Sequence, residues 1–272
     1  MTFTSIRRAL LAVTLTCGLM QAQQTQQAQQ TQQAQPKGPQ PKSQKERDAL
    51  VKVQTAAQAN NPDELLKSID YVLENFDNTD YKPMLLTMGM EAAQAKGDAP
   101  KASLYADRLI EVDPNNIAAR VMQAEAIAQR TRENDLDKEQ SLKRVEELAN
   151  KGLELLKNAS TPPPGTNEAQ WPQMKNQFAS EAHDALGQAA DLRKNYPEAI
   201  KHYQDALQVE PTNAVVTARL AKAYVGNKQY DEAIAAADKV AAMSDAPAVV
   251  KQFAQQQKDA ATKLKGAGTG AK

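Results

Sequence analysis

Histidine, cysteine and carboxylate side chains are the groups with which this sequence could perform catalysis or bind a metal. The chain has only two histidines, His183 and His202, and one cysteine, Cys17. Neither histidine has a third ligand at a spacing typical of a zinc site, and neither shares a motif with a serine or cysteine nucleophile. The sequence therefore predicts no catalytic or metal-binding role for them, and we expect both on helix surfaces or in a groove.

The carboxylates are numerous but form no motif of a known active site. A pair such as Glu91 and Glu125 could be imagined as a general acid and base, yet nothing in the sequence sets one carboxyl apart from the other. Gly268-Thr269-Gly270 lacks the strand and helix that flank a phosphate-binding loop. We therefore expect a protein that is not an enzyme and needs no cofactor.

The composition indicates how the chain would position such groups. Hydrophobic residues make up 41% of the chain but aromatic residues only 4%, which favours helices packed through small side chains. The 33 basic residues balance the 33 acidic ones, so no overall field attracts nucleic acid. The expected fold class is all-α, and nucleic acid is not an expected partner.

The N-terminus has the layout of a secretory signal at residues 1–22. Arg7 and Arg8 precede an apolar run from Ala9 to Met20, which is shorter than the roughly 20 residues needed to span a bilayer. Removal of the signal would leave no transmembrane segment. A lipid anchor at Cys17 is a disfavoured alternative, because Thr16 departs from the lipobox pattern. We expect an exported protein, periplasmic or secreted, with outer-membrane association left open.

Residues 23–43 are rich in glutamine and proline and have almost no side chain suited to burial. The sequence predicts a disordered linker here. It either holds the folded part away from a surface or partner, or is a repeat expansion without a role.

Downstream, the sequence repeats itself at an offset of 34 residues. Leu186-Gly187 recurs as Leu220-Ala221, and Glu198-Ala199-Ile200 recurs as Glu232-Ala233-Ile234. A fixed period of this length is typical of stacked helix pairs, in which each pair buries its apolar face against the next.

The segment 180–213 resembles the tetratricopeptide repeat (TPR) family residue by residue. The matching motifs are Leu186-Gly187, Tyr196-Pro197-Glu198-Ala199, Tyr203, Ala206-Leu207 and Glu210-Pro211. Residues 83–116 repeat the theme but depart from it at Gly89-Met90, which replaces the usual Leu-Gly order. The resemblance implies a right-handed superhelical stack of about five antiparallel helix pairs followed by a C-terminal capping helix.

The predicted helical domain covers residues 44–265. Trp171, the only tryptophan, is expected either to anchor a partner or to hold the proline-rich insert against the stack. The predicted units are pairs near 46–79, 83–116, 117–157, 173–213 and 214–246, an insert at 158–172, a capping helix at 247–265 and a flexible tail at 266–272.

The resemblance also implies a concave groove lined by the first helix of each pair. The family's lysine and asparagine clamp for chaperone C-termini is missing, so a chaperone adaptor is not expected. The wall is mostly acidic and ends in basic residues, which suits an extended ligand with some positive charge. The predicted groove residues are Thr87, Glu91, Gln94, Val121, Glu125, Gln129, Asp184, Gln188, Asp191, Arg219 and Lys222.

These expectations favour a non-catalytic scaffold in the cell envelope or outside the cell, which binds a protein or peptide of unknown identity in the groove. Two alternatives remain. One is a structural spacer or carbohydrate-associated surface factor, and the other is a hydrolase with an unrecognised site.

Overall fold

The computed structural model describes residues 38–163 and 166–269, and within these ranges it contains eleven α-helices and no strand. The predicted signal, linker residues 23–37, Pro164-Gly165 of the insert and the last three residues lie outside the described residues. So does Cys17. The all-α prediction is confirmed.

The helices form five consecutive pairs and one final helix. The pairs are α1 (Gln44–Gln58) with α2 (Pro62–Asn75), α3 (Lys82–Lys96) with α4 (Ala99–Val112), α5 (Ile117–Arg130) with α6 (Lys138–Asn158), α7 (Trp171–Leu192) with α8 (Tyr196–Val209), and α9 (Ala214–Gly226) with α10 (Tyr230–Ala242), and α11 (Ala248–Thr269) follows them.

The helix starts are encoded by short polar side chains that cap the first turn. Each such side chain accepts a hydrogen bond from a backbone N–H three residues later, which otherwise has no partner within the helix. Asn213, for example, accepts from Val216 N at 3.1 Å. The capping residues are Ser43, Asn61, Asp98, Asn116 and Asn213.

The tight turns within the pairs share one backbone conformation. In four of the five pairs the first or second residue after the first helix has a positive φ, and the N–H of the residue that follows it donates to a carbonyl five residues earlier in the chain. Lys194 and Lys228 hold this position 34 residues apart, in step with the sequence repeat. The four residues are Asn60, Gly97, Lys194 and Lys228.

Consecutive helices pack against each other, so the apolar core runs along the stack. Leucine and alanine side chains from α1 to α7 form one continuous buried cluster, and smaller clusters continue it to α11. The last helix packs on both α9 and α10 and buries Ala254 and Ala261. It therefore covers the apolar end of the array, as stacked repeats require.

Three glycines set the distance between packed helices. A Cβ on Gly187 would lie 2.5 Å from the Tyr203 ring, and a Cβ on Gly89 would lie 2.7 Å from the Tyr105 ring. Gly226 faces Tyr196 in the same way. Gly89 and Gly187 therefore have the same role. Although Gly89-Met90 departs from the Leu-Gly order in sequence, Gly89 occupies the same structural position as Gly187.

Several predicted boundaries differ from the structure. Helix α7 begins at Trp171, two residues before the predicted pair, and the Trp171 side chain is only 5% exposed. It is therefore not an exposed anchor for a partner. Helix α11 continues through Gly266 to Thr269, so the predicted flexible tail begins too early. Gly266 and Gly268 each cost the helix only about 1 kcal/mol and do not end it.

Among the described residues, no helix combines the length and hydropathy needed to cross a membrane.

Substitution of Gly187 by alanine tests the close helix approach. We expect the free energy of unfolding to fall by about 1–2 kcal/mol, because the new Cβ displaces the buried Tyr203 ring and this outweighs the gain in helix propensity. The measurement is chemical denaturation followed by circular dichroism.

Gly266→Ala is the matched control, since a Cβ there meets no atom within 4 Å. It should raise stability by less than about 1 kcal/mol. Equal effects of the two substitutions would contradict the steric role of Gly187.

Candidate functional site

A groove with a volume of about 400 Å³ lies where α5, α7 and the start of α9 meet. These are first helices of three successive pairs, and α5 contacts α7 directly because their pairs are stacked. The groove is lined by Glu125, Gln129, Gln177, Glu181, Asp184, Glu210, Asn213, Val215, Val216 and Arg219.

Four predicted residues lie in this groove, namely Glu125 and Gln129 on α5, Asp184 on α7 and Arg219 on α9. Arg219 forms an ion pair with the buried Asp184. The structure thus brings together predicted residues from three helices that are up to about 95 positions apart in sequence.

Three further predicted residues continue the line along α7 and α9. Gln188 Nε2 donates to Asp184 Oδ2 at 3.2 Å. One turn further on, Lys222 Nζ lies 2.5 Å from Asp191 Oδ2. Two ion pairs therefore connect α7 to α9, and the basic residues predicted at the end of the row neutralise aspartates of the preceding repeat.

The three predicted residues of α3 do not line this groove. Thr87 is half-buried and its hydroxyl donates to Pro83 O at 2.9 Å. Glu91 is half-buried, and burial raises the pKa of its carboxyl above the ordinary value. Gln94 is exposed.

Val121 is wrongly predicted as a groove residue. Its side chain is fully buried and faces α6, where its Cγ2 lies 3.0 Å from the position of a Cβ on Gly152. A valine at that point of α5 belongs to the contact between the two helices of the pair, because removal of its apolar surface from water favours burial. It cannot contact a partner in the groove.

The groove also contains charged and amide side chains that the sequence analysis missed. Glu181 and Gln177 lie one and two turns before Asp184 on α7. The signal was available, since extending the row of Asp184, Gln188 and Asp191 backwards by helical spacing reaches both residues. Glu210 precedes α9 and could only be placed here by tertiary structure.

Burial makes the charge of the groove unusual. Four carboxyl groups, on Glu125, Glu181, Asp184 and Glu210, line it together with the guanidinium of Arg219. Desolvation, aided by the nearby Glu125, raises the pKa of Glu181 to about 7. Burial also raises the pKa of Asp184 to about 7 despite its ion pair with Arg219.

Hydrogen bonds hold two of these carboxylates in place. Gln129 Nε2 donates to Glu125 Oε1 at 2.7 Å, and Gln177 Nε2 donates to Glu181 Oε1 at 2.9 Å. In each case the donor and acceptor are four residues apart on one helix, which is the spacing that brings side chains together. Among the described residues, the buried Asp184 Oδ1 has no hydrogen-bond partner. The groove therefore has more acceptors than donors.

Comparison with known proteins identifies a repeat family in part of the chain. Residues 192–256 match the family model described as tetratricopeptide repeat. The matched part includes α8, α9 and α10, whereas α1 to α6 lie outside it. By this match the chain carries tetratricopeptide repeats over residues 192–256. No curated protein matches the sequence.

Solved structures with a similar fold include several of MamA. The "MamA RS-1 ArsTM double mutant" has a TM-score of 0.52 and 16% identity, with 74% of this chain and 95% of that chain covered. "MamA MSR-1 C2" has a TM-score of 0.51 and 18% identity, covering 75% and 98%. At this identity the similarity concerns the fold.

Replacement of Glu181 by glutamine tests the electrostatics of the groove. Because folding raises the pKa of Glu181 to about 7, the stability tied to its protonated form is present at low pH and is lost as the pH rises through 7. Glu181→Gln should therefore unfold like the wild type at pH 5. At pH 8 it should be more stable by about 1–2 kcal/mol, a value reduced for the partial access of Glu181 to water.

Denaturant unfolding at both pH values, in buffer with a chelator, measures this difference. The control is Glu111→Gln, at an exposed glutamate of α4, and it should show no such pH dependence. A Glu181→Gln variant that is less stable than the wild type at pH 8 would contradict the assignment.

Proposed function

We propose that this protein is a non-catalytic scaffold that binds an extended, positively charged segment of a partner protein in the groove of α5, α7 and α9. The observation on which the proposal rests is the concentration of four carboxyl groups and one guanidinium around a single open groove. A lysine or arginine side chain would add donors and positive charge to a groove in which Arg219 is the one basic residue among the described lining residues, beside four carboxyl groups.

The groove also suits the backbone of a peptide. The amide groups of Gln129 and Gln177 lie on neighbouring helices at its wall and can exchange hydrogen bonds with peptide groups. Its volume of about 400 Å³ is at the lower end of the range for small-molecule sites, which fits one or two side chains better than a large cofactor.

The family supports this type of activity. TPR proteins are generally non-catalytic scaffolds, and their stacked first helices present a continuous binding surface. The partner itself is defined here only by its chemistry, because fold similarity does not identify a ligand.

The place of action proposed is the cell envelope or the exterior. Support comes from the sequence of residues 1–22, where Arg7 and Arg8 precede a short apolar run. The glutamine-rich stretch that follows would give the repeats reach from an attachment point or through a crowded envelope. A periplasmic or secreted scaffold fits both features.

Charge removal in the groove tests the proposed binding. The full chain and a Glu125→Gln/Glu181→Gln variant are used to capture proteins from an envelope extract, and captured proteins are quantified by mass spectrometry. Peptides spanning the captured proteins are then measured by fluorescence polarisation. We expect lysine- or arginine-containing peptides to bind, and the variant to weaken their binding at least tenfold, which corresponds to about 1.4 kcal/mol.

The matched control is Glu111→Gln/Glu147→Gln, which removes two exposed carboxylates from the second helices α4 and α6. It should bind the same peptides as the wild type. The proposal fails if both double variants bind equally well, or if acidic peptides bind in preference to basic ones.

A further inference from the structure

The two histidines of the chain face each other between α7 and α8. His183 Nδ1 on α7 lies 3.3 Å from His202 Nδ1 on α8. The two rings are tilted by 31°, with their centroids 5.6 Å apart. The sequence places these residues 19 positions apart, and only the antiparallel pairing of the helices brings their imidazoles together.

A carboxylate completes this cluster. Asp205 follows His202 by three residues, so both side chains project from the same side of α8. Its Oδ2 atom lies 4.0 Å from His183 Nδ1. One ligand atom from each of the three residues lies within 4.8 Å of the other two. A third candidate ligand, which the sequence analysis did not find, therefore lies beside the two histidines.

The distance between the two imidazole nitrogens matches that of adjacent ligands in a coordination sphere. Zinc binds imidazole nitrogen at about 2.0–2.1 Å, so two nitrogens on adjacent corners of a tetrahedron are separated by about 3.3–3.4 Å. The observed separation of 3.3 Å lies in this range. The Asp205 carboxylate oxygen, at 4.0 Å from His183 Nδ1, is farther away, and its side chain would have to rotate towards the imidazoles to bind the same ion.

From this arrangement we propose that His183, His202 and Asp205 bind one late first-row divalent cation, such as Zn²⁺, with at least one coordination position left for water or for a group of a partner. Two imidazoles and one carboxylate are a ligand set that Zn²⁺, Ni²⁺ and Cu²⁺ accept. The site is separate from the peptide groove and does not depend on the proposed function.

The surroundings of the cluster favour coordination. Desolvation lowers the pKa of both His183 and His202, which favours the neutral imidazole that a metal requires. The carboxylates of Asp205, Glu198 and Glu146 contribute negative charge near the pair, whereas Lys201 opposes them. The His183 and Asp205 side chains remain 22% and 37% exposed, which leaves a path for the ion.

Direct observation of the two imidazoles provides the first test. The full chain is labelled with ¹⁵N-histidine, and Zn²⁺ is added in steps. Because the chain has only two histidines, every imidazole signal belongs to this cluster. We expect the Nδ1 resonances of both rings to shift and to reach their end point at one Zn²⁺ per chain. Unchanged resonances after one equivalent of Zn²⁺ would overturn the proposal.

Calorimetry with variants provides the second test. All proteins carry Cys17→Ser, which removes the only thiol that could bind Zn²⁺. We expect His183→Ala/His202→Ala to weaken Zn²⁺ binding at least about 100-fold and Asp205→Asn to weaken it about tenfold or more, since each removes ligands from one site. Circular dichroism confirms that each variant is folded.

The control for non-specific carboxylate binding is Asp259→Asn, which removes an exposed aspartate on α11. It should bind Zn²⁺ like the parent protein. Equal affinity of the parent and the double histidine variant would show that the ion binds elsewhere and would overturn the assignment.

Discussion

The structure depends on the close approach of packed helices at glycine. At Gly89 and Gly187 the backbone of a first helix rests directly on the tyrosine ring of its partner helix, with no room for a Cβ. This contact fixes how near the two helices lie. Since each pair leaves an apolar face that only the next pair can bury, the spacing within pairs also determines how successive pairs stack. The line of first helices, and hence the groove between them, follows from that geometry.

The groove is costly for stability. Glu125, Glu181 and Asp184 are partly or wholly desolvated, and burial raises the pKa of all three carboxyls. The guanidinium of Arg219 compensates for Asp184 alone by direct contact. Replacement of a buried ion pair by apolar residues is often neutral or stabilising, so stability by itself does not explain the presence of these residues. Buried charged residues that lower the stability of the fold are expected where a protein binds a ligand.

Helix α7 connects the two proposed sites. Asp184 and Glu181 project from it into the groove, while His183 projects towards α8. Adjacent positions on a helix differ by about 100° in direction, so residues next to each other in sequence serve different surfaces. A cation bound by His183, His202 and Asp205 would cross-link α7 to α8 and thereby hold the groove carboxylates of α7 in a fixed orientation.

The sequence by itself determined the all-α class, the repeat period and the order of the helix pairs, because capping residues, turn residues and apolar spacing act over a few positions along the chain. It also placed Glu125, Gln129, Asp184 and Arg219 on one surface, since helical spacing and the family pattern suffice for that. Only the tertiary structure decided that Val121 is buried against α6, that Glu210 joins the groove, and that Asp205 completes a cluster with the two histidines. These outcomes depend on the distance and rotation between packed helices, which arise from contacts among residues far apart in the chain.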